Sequence, residues 1–462
     1  MTPHGARAGE DAEDLDVEEV LALVNNSNGS HLPDPAAPGG ADSAPASHQP
    51  DPSARPDTRH RATAWPEARA LAERAGRHAV RAARRAPVSV PLDTALGLTL
   101  ADPLDALTDL PSFDTSAMDG WAVCGPAPWH VRDEGVLAGH AAPVSLTDGE
   151  AVRIATGARI PPDTTAVLRS EHGRADAKGR LYATRDVVPG QDIRPRGQEC
   201  RTGDQLLAVG TLVTPAVLGL AAAAGYDTVT AVPRARVEVL VLGDELLTQG
   251  LPHDGLIRDA LGPMLPPWLR ALGAEVTAVR RVRDDADALH EAVTTCDADV
   301  ILTTGGTAAG PVDHVHPTLR RIGAELLVDG VTVRPGHPML LARTTQTQHL
   351  VGLPGNPLAA VSGLLTLAEP LLRILAARPA PEPYTLPLRD AVHGHPHDTR
   401  LVPVVLRGDE AVPLHYNGPA MLRGIAAADA LAVVPPGGAR SGQEAELLDL
   451  PWASAGIGVC FT

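Results

Sequence analysis

From Val237 onward the chain alternates between short, unbroken apolar runs and longer amphipathic stretches. Val237–Leu242 reads as a strand buried on both faces, and Leu261–Leu272 as a helix. A strand at Ala274–Val282, a helix at Ala286–Val293, a strand at Ala298–Thr304 and a helix at Val315–Ile322 follow. A strand at His349–Leu353 and a helix from Pro357 to about Ala376 close the series. Apolar runs this short fit strands covered on both sides, and the spans between them fit crossover helices. The alternation predicts a doubly wound α/β domain with a parallel sheet.

Upstream the period changes. Trp65-Pro66 opens a helix with Pro in its first turn, and Ala and Leu recur at helical spacing to about Ala83. Its Arg69, Arg74, Arg77, Arg81 and Arg84, with Arg85 just beyond, read first as a solvated helix surface and second as an anion-attracting face. Short β-like runs follow at Val88–Val90, Leu98–Ala101 and Trp121–Val123, and the turn-rich stretch from Cys124 to Val188 suggests a small β domain. After Pro379 the chain returns to short strands such as Leu401–Leu406 and Ala430–Val434.

Residues 1–60 read as a disordered acidic and Pro-rich tail, because Leu32–Pro56 has too few apolar groups to offset its ordering entropy. Within the acidic stretch Glu10–Val24, Val17, Val20, Leu21 and Val24 would form one apolar helical stripe. The expected organisation is that tail, a mixed domain from 61–123 and 189–236, a small β domain at 124–188, an α/β domain at 237–378 and a C-terminal β domain at 379–462.

Composition narrows the function. A formal net charge of −17 argues against a polyanionic partner, and five Trp, four Tyr and two Phe leave few stacking platforms for bases. No nucleic acid is therefore expected. The four cysteines, Cys124, Cys200, Cys296 and Cys460, form no C-x-x-C pair, which fits a reducing cytoplasm better than a zinc module or disulfide framework. No apolar run is expected to reach the roughly 18 residues of a membrane span, and the first residues lack a signal peptide's basic and apolar regions. The expected location is cytoplasmic, without a membrane.

In a doubly wound sheet, ligands bind beyond the carboxyl ends of the strands. Here Gly243-Asp244-Glu245 follow the first strand, and Asp284 and Asp285 the second. Gly305-Gly306 and then Asp313 follow the third, and Pro354-Gly355-Asn356-Pro357 the fourth. Hard oxygen ligands for Mg²⁺ and close-approach glycines for phosphate thus collect on one edge. Taken singly, each Gly is ordinary turn chemistry and each Asp a helix cap. Their coincidence points to a nucleotide- or phosphate-handling enzyme.

Pro111-Ser-Phe-Asp114-Thr-Ser116-Ala-Met-Asp119-Gly120 resembles the signature of the molybdopterin molybdenumtransferases, the MoeA and gephyrin E-domain family. Arg153-Ile-Ala-Thr156-Gly157-Ala158, Arg194-Pro-Arg-Gly197-Gln-Glu199, Gly243-Asp-Glu-Leu246, Gly305-Gly306, Asp313, Arg334-Pro-Gly-His-Pro338 and Leu353-Pro-Gly-Asn-Pro357 follow in the family's order. The resemblance spans about residues 65 to 450. It implies a MoaB/Mog-like α/β domain, N-terminal mixed and β domains, a C-terminal β-barrel-like domain, and a homodimer whose active sites lie between subunits.

It also implies the reaction: adenylylated molybdopterin and molybdate enter, the dithiolene takes up molybdenum, and AMP leaves with the help of Mg²⁺ or another divalent cation. A molybdopterin adenylyltransferase is the protein partner it suggests. Carried over by motif position, the catalytic residues are Asp114, Thr156, Glu199, Glu245, Asp285 and Asp313. Asp244, Glu245, Asp285 and Asp313 are the metal ligands, and Ser116, Gly305, Gly306, Gly355, Asn356, Arg334 and His337 bind pterin, phosphate or molybdate. Asp119 is expected to stabilise its own turn.

The chain departs from the family in several places. The usual Lys-Pro-Gly-Lys-Pro element has Arg334 and His337 for its cations, and neutral His337 would give only a hydrogen bond. Ala308-Ala-Gly-Pro311 lacks the first of two acids, Glu199 replaces an Asp, Leu242 a Thr, Arg258-Asp259-Ala260 an Asp-Ser-Asn, and Ala359 a Ser. Pro311, His337 and Ala359 motivate a second reading, a degenerate paralogue that binds molybdopterin or a partner without turnover. A third is a scaffold acting through the acidic N-terminal helix.

Overall fold

The computed structural model describes residues 62–137, 139, 145–308 and 313–451. The acidic helix expected at Glu10–Val24, the rest of the tail, Ala309–Pro311 and Cys460 lie outside these residues. Two compact units are present. One joins the residues up to Arg84 with Ala235–Leu375 and the chain from Ala380 onward; the other is Arg85–Arg234 with Ala376–Pro379.

The first unit holds the α/β sheet. Its elements are α1 (Trp65–Ala83), β1 (Ala235–Leu242), α2 (Leu261–Ala271), β2 (Ala274–Val282), α3 (Ala286–Thr294), β3 (Val300–Thr304), α4 (Val315–Arg321), β4 (Glu325–Asp329), β5 (Leu340–Arg343), β6 (His349–Leu353), α5 (Pro357–Gly363) and α6 (Glu369–Leu375). The sheet order is β2-β1-β3-β6-β5-β4. The strands β2, β1, β3 and β6 are parallel, whereas β5 and β4 return antiparallel. The expected all-parallel sheet is thus mixed, because Leu326–Val328 and Leu340–Ala342 form a hairpin around the Arg334–Pro338 loop. Both faces are covered, so β1, β3 and β6 are almost wholly buried and mostly apolar, with Glu238, Thr303, Thr304 and His349 the buried polar exceptions.

The long apolar span after β6 is α5, a π turn at Leu364–Ala368, and α6. By length and composition Pro357–Leu375 would suffice to cross a membrane, contrary to the sequence expectation, but most of it is buried inside the protein. It is a core helix. Helix α1 packs along it through Trp65 and through Ala68, Ala72, Ala75 and Ala79, and the small alanine side chains let the backbones approach. Trp65 Nε1 donates to Thr366 Oγ1 at 3.0 Å, and the Arg69 guanidinium donates to the Leu365 carbonyl in the π turn. Arg69 is therefore a packing residue, while Arg74, Arg77, Arg81 and Arg84 are exposed.

The C-terminal strands form a second sheet in this unit, ordered Val333–Arg334, Thr399–Arg407, Ala430–Val434, Glu444–Asp449 and Thr385–Pro387. Val333–Arg334 runs parallel to Thr399–Arg400, so the loop between β4 and β5 is hydrogen-bonded to the C-terminal region.

The second unit contains a six-stranded sheet drawn from Gly120 to Ala183, whose Gly120–Val123 strand lies between Ala166–Arg169 and Glu150–Ile154. A three-stranded sheet joins Val88–Pro91, Thr228–Val232 and Thr99–Leu100. Helix Pro215–Ala223, absent from the sequence expectation, starts at a local signal, the cap Thr214 followed by Pro at N1; Thr214 Oγ1 accepts from Val217 N at 3.3 Å.

Candidate active site

The order β2-β1-β3 reverses direction between β1 and β3, and a crevice opens at the carboxyl ends of strands where such a reversal occurs. A cavity of about 680 Å³ occupies that place. Leu242, Gly243 and Glu245 reach it after β1, Asp284 after β2, Gly305, Gly306 and Asp313 after β3, and Gly355 and Asn356 after β6. Gly243 has φ +126°, and a Cβ there would lie 2.5 Å from Glu245 Oε2, so only glycine lets that carboxylate fold back over the turn.

The acids differ in how far they are committed. Asp313 Oδ1 accepts from Val315 N at 3.0 Å, and its Oδ2 is 3.0 Å from His316 Nδ1, whose Nε2 is 2.9 Å from Asp329 Oδ1. Burial opposes charging His316, but the two carboxylates outweigh it and raise the ring's pKa. Asp259, in the same wall, is held by Gly262 N and Arg281. Glu245 makes no side-chain hydrogen bond among the described residues. Asp285 is the N-cap of α3, accepting from Ala288 N at 2.8 Å, and it is Asp284 that faces the cavity. Asp244 is exposed, outside the cavity wall, and its N–H donates to Asp284.

No group of three His, Cys, Asp or Glu side chains stands close enough to cage a metal among the described residues. Mg²⁺ typically takes only one or two carboxylates and completes its shell with water and substrate phosphate. Glu245 and Asp284, hard oxygen donors on the cavity wall, suit that kind of binding.

A second cavity, about 440 Å³, lies across the Pro354–Pro357 turn and shares Asn356 with the first. It is lined by Arg334, Gly336, His337, Ala359, Arg400 and Asn417, among others. Gly336 has φ +109°, with the Ala359 carbonyl 3.0 Å from where a Cβ would stand. Arg334 Nε donates to buried Asp398 at 2.7 Å. His337 Nδ1 donates to the Val331 carbonyl at 2.8 Å, so in the neutral ring Nε2 is a bare acceptor. The hydrogen bond expected from His337 to an oxyanion is therefore not available in that form. The Leu358 and Ala359 amides, at the start of α5, are both taken by the Pro419 carbonyl.

The remaining expected residues lie in the second unit. Asp114 Oδ1 accepts from Arg196 N at 2.6 Å, and buried Ser116 donates to the Met118 carbonyl. Asp119 does more than hold its own turn. It accepts from both Thr156 N and Thr156 Oγ1, bonds that lower its pKa. Arg194 and Glu199 border a further cavity with Pro111 and Thr115.

Residues 64–225, 238–374 and 385–450 match, in turn, the families described as MoeA N-terminal region (domain I and II), Probable molybdopterin binding domain, and MoeA C-terminal region (domain IV). A protein of Mycobacterium tuberculosis named Molybdopterin molybdenumtransferase 2 is 36% identical over 325 residues, 66% of this chain and 78% of that protein. The chain belongs to the molybdopterin molybdenumtransferase family. A Staphylococcus aureus Molybdopterin molybdenumtransferase is 28% identical over 79% of this chain and 90% of its own length. A Pyrococcus horikosii structure titled molybdopterin biosynthesis moea protein superposes with a TM-score of 0.66 at 24% identity, covering 84% of this chain and 99% of that one, which supports the shared fold. In this molybdopterin molybdenumtransferase family member, the sequence places both Asp284 and Asp285 at the ligand edge but the motif assigns the role to Asp285, whereas Asp284 lines the cavity. Arg400 and Asn417, in a region with no recognised motif, are the cavity residues the sequence does not signal.

Proposed function

We propose that the protein inserts molybdenum from molybdate into adenylylated molybdopterin and releases AMP, with Mg²⁺ or another divalent cation. Family membership makes it an enzyme of molybdenum cofactor biosynthesis. The observation that carries the finer reading is the pair of adjoining cavities, one edged by carboxylates and glycines, the other by arginines, with Asn356 in both walls.

In this reading the first cavity takes the pterin and its diphosphate bridge. The Gly305-Gly306 turn lets phosphate approach the backbone without a Cβ between them. Glu245 and Asp284 would hold the cation, which supplies charge neutralisation at phosphate when bound. Asp313, fixed by Val315 N and His316, keeps a negative oxygen oriented at the same wall. The arginine cavity holds molybdate as substrate. The two thiols of the dithiolene pass their protons to one oxygen of molybdate, which leaves as water as two Mo–S bonds form, and water hydrolyses the phosphoanhydride to free AMP and the pterin phosphate. Asp114, Thr156, Glu199 and Ser116 complete the site in a homodimer, and a molybdopterin adenylyltransferase supplies the substrate. Incubation with adenylylated molybdopterin, molybdate and Mg²⁺ should yield AMP and molybdenum cofactor together. Binding of the pterin with no AMP release would favour the degenerate paralogue instead.

A further inference from the structure

We infer that His316, anchored by Asp329, is the positioning residue of the carboxylate cavity: it holds Asp313 Oδ2 from behind and so keeps Oδ1 facing the Gly305-Gly306 turn. This role rests on the assignment of the diphosphate bridge to that cavity. The torsion that rotates an aspartate carboxylate is broad, so an Asp at the end of a turn does not aim itself. One restraint is local, Val315 N donating to Oδ1 at 3.0 Å. The other oxygen needs a partner from the next turn of chain, and His316, in the first turn of α4, supplies it with Nδ1 3.0 Å from Oδ2.

A side chain can orient its neighbour only if it is held in turn. His316 Nε2 is 2.9 Å from Oδ1 of Asp329, the last residue of β4, which pairs with Leu340 across the β4–β5 hairpin. Asp313, His316 and Asp329 thus form a chain from the cavity wall to the sheet. With an acceptor oxygen at each end, the ring donates from both nitrogens and cannot swing away. The free side of Asp313 then meets the glycine turn, since a Cβ on Gly306 would stand 4.0 Å from Asp313 Oδ1. The neighbouring acids lack such support. Among the described residues Asp284 accepts only the Asp244 amide, at 3.3 Å, and Glu245 makes no side-chain hydrogen bond. Two adaptable carboxylates and one fixed one therefore share the wall, and the fixed one is set by a residue outside it.

The experiment is steady-state AMP release by the full-length protein from adenylylated molybdopterin, with calorimetric titration of the pterin and urea unfolding of each variant. His316→Ala should lower kcat on the order of 10- to 100-fold, as for other supporting residues of a site. KM and pterin affinity should stay within about twofold of wild type, because only the aim of one oxygen is lost. An Asn amide can replace Nδ1 and a Gln amide Nε2. His316→Asn, which keeps the Asp313 bond, should therefore recover most of the lost kcat, while His316→Gln, which keeps only the Asp329 bond, should not. Asp329→Ala should lower kcat by a smaller factor than His316→Ala. In an Asp313→Asn background His316→Ala should cost nothing further, since the group it aims is already gone. A strut that served stability alone would give additive losses and would not distinguish Asn from Gln. Wild-type kcat in His316→Ala, additive losses in the double variant, or a fall in pterin affinity matching the fall in kcat would each overturn this role and leave the cavity's assignment standing. No AMP release by the wild-type protein would overturn both. Should His316→Ala not fold, equal kcat in His316→Asn and His316→Gln would overturn the role.

Discussion

The two cavities of the first unit share a wall but are assembled in opposite ways. The larger takes its polar groups from turns that directly follow β1, β2, β3 and β6, so one sheet edge gathers them. The smaller joins the loop between β4 and β5 to a strand and a turn lying more than sixty residues further along the chain. The first is acidic, with several carboxylates already held by backbone amides. The second is basic and only partly neutralised. A strand-end site can drift in sequence and keep its place, whereas a site closed by a distant sheet can exchange one donor for another from elsewhere.

The strongest way to break this contrast is Asp313→Asn. The amide can still cap Val315, so the fold should survive, but the oriented negative oxygen is gone. AMP release from adenylylated molybdopterin should fall on the order of 100-fold or more, as for loss of a preorganised charge in an active site. Retained activity would remove the carboxylate cavity from the chemistry.

This contrast also explains what the sequence disclosed. Glu245, Gly305, Gly306, Asp313, Gly355 and Asn356 could be named in advance because each follows a recognisable buried strand, and all line one cavity. Asp284 and Asp285 are adjacent and chemically alike; only the direction of the backbone entering α3 makes one a cap and the other a wall residue. Arg400 had no local signal at all, because its meaning comes from strand register with Arg334. The antiparallel β4–β5 hairpin was hidden for a similar reason, its strands being short and one of them at the edge.

A second test bears on β6, the strand that carries the shared turn. His349 is wholly buried, neither ring nitrogen has a hydrogen-bond partner among the described residues, and burial pushes its pKa down to about 4. The unfolded chain binds a proton near pH 6.5 that the folded state refuses, so stability is full above that pH and is lost as the pH falls. The loss should reach about 3 kcal/mol by pH 4. His349→Leu should flatten that acid limb in denaturant titrations across pH 7 to 4. An unchanged slope would mean the ring is hydrated.

Asp398→Asn sharpens the basic side. It leaves two adjacent guanidiniums with no carboxylate between them, so the apo protein should lose about 1 kcal/mol. Molybdate should then raise Tm by more than it does in wild type, because ligand binding offsets a larger repulsion. Thermal melts with and without molybdate measure both effects, and an equal shift would argue that Asp398 does not balance the arginines.

The smallest stability effect is expected where the two cavities meet. Asn356 is the N-cap of α5, a position where Asn→Ala commonly costs about 1 kcal/mol. Its side chain makes no cap bond here, and the amides of Leu358 and Ala359 are satisfied by Pro419. Asn356→Ala should therefore change stability by less than about 0.5 kcal/mol in urea unfolding. Its exposed amide is free to touch whatever bridges the cavities, so AMP release should still fall, by roughly tenfold. A full capping loss with unchanged turnover would reverse that assignment. Asn356 would then be a structural cap, and the wall between the cavities would take no part in joining their contents.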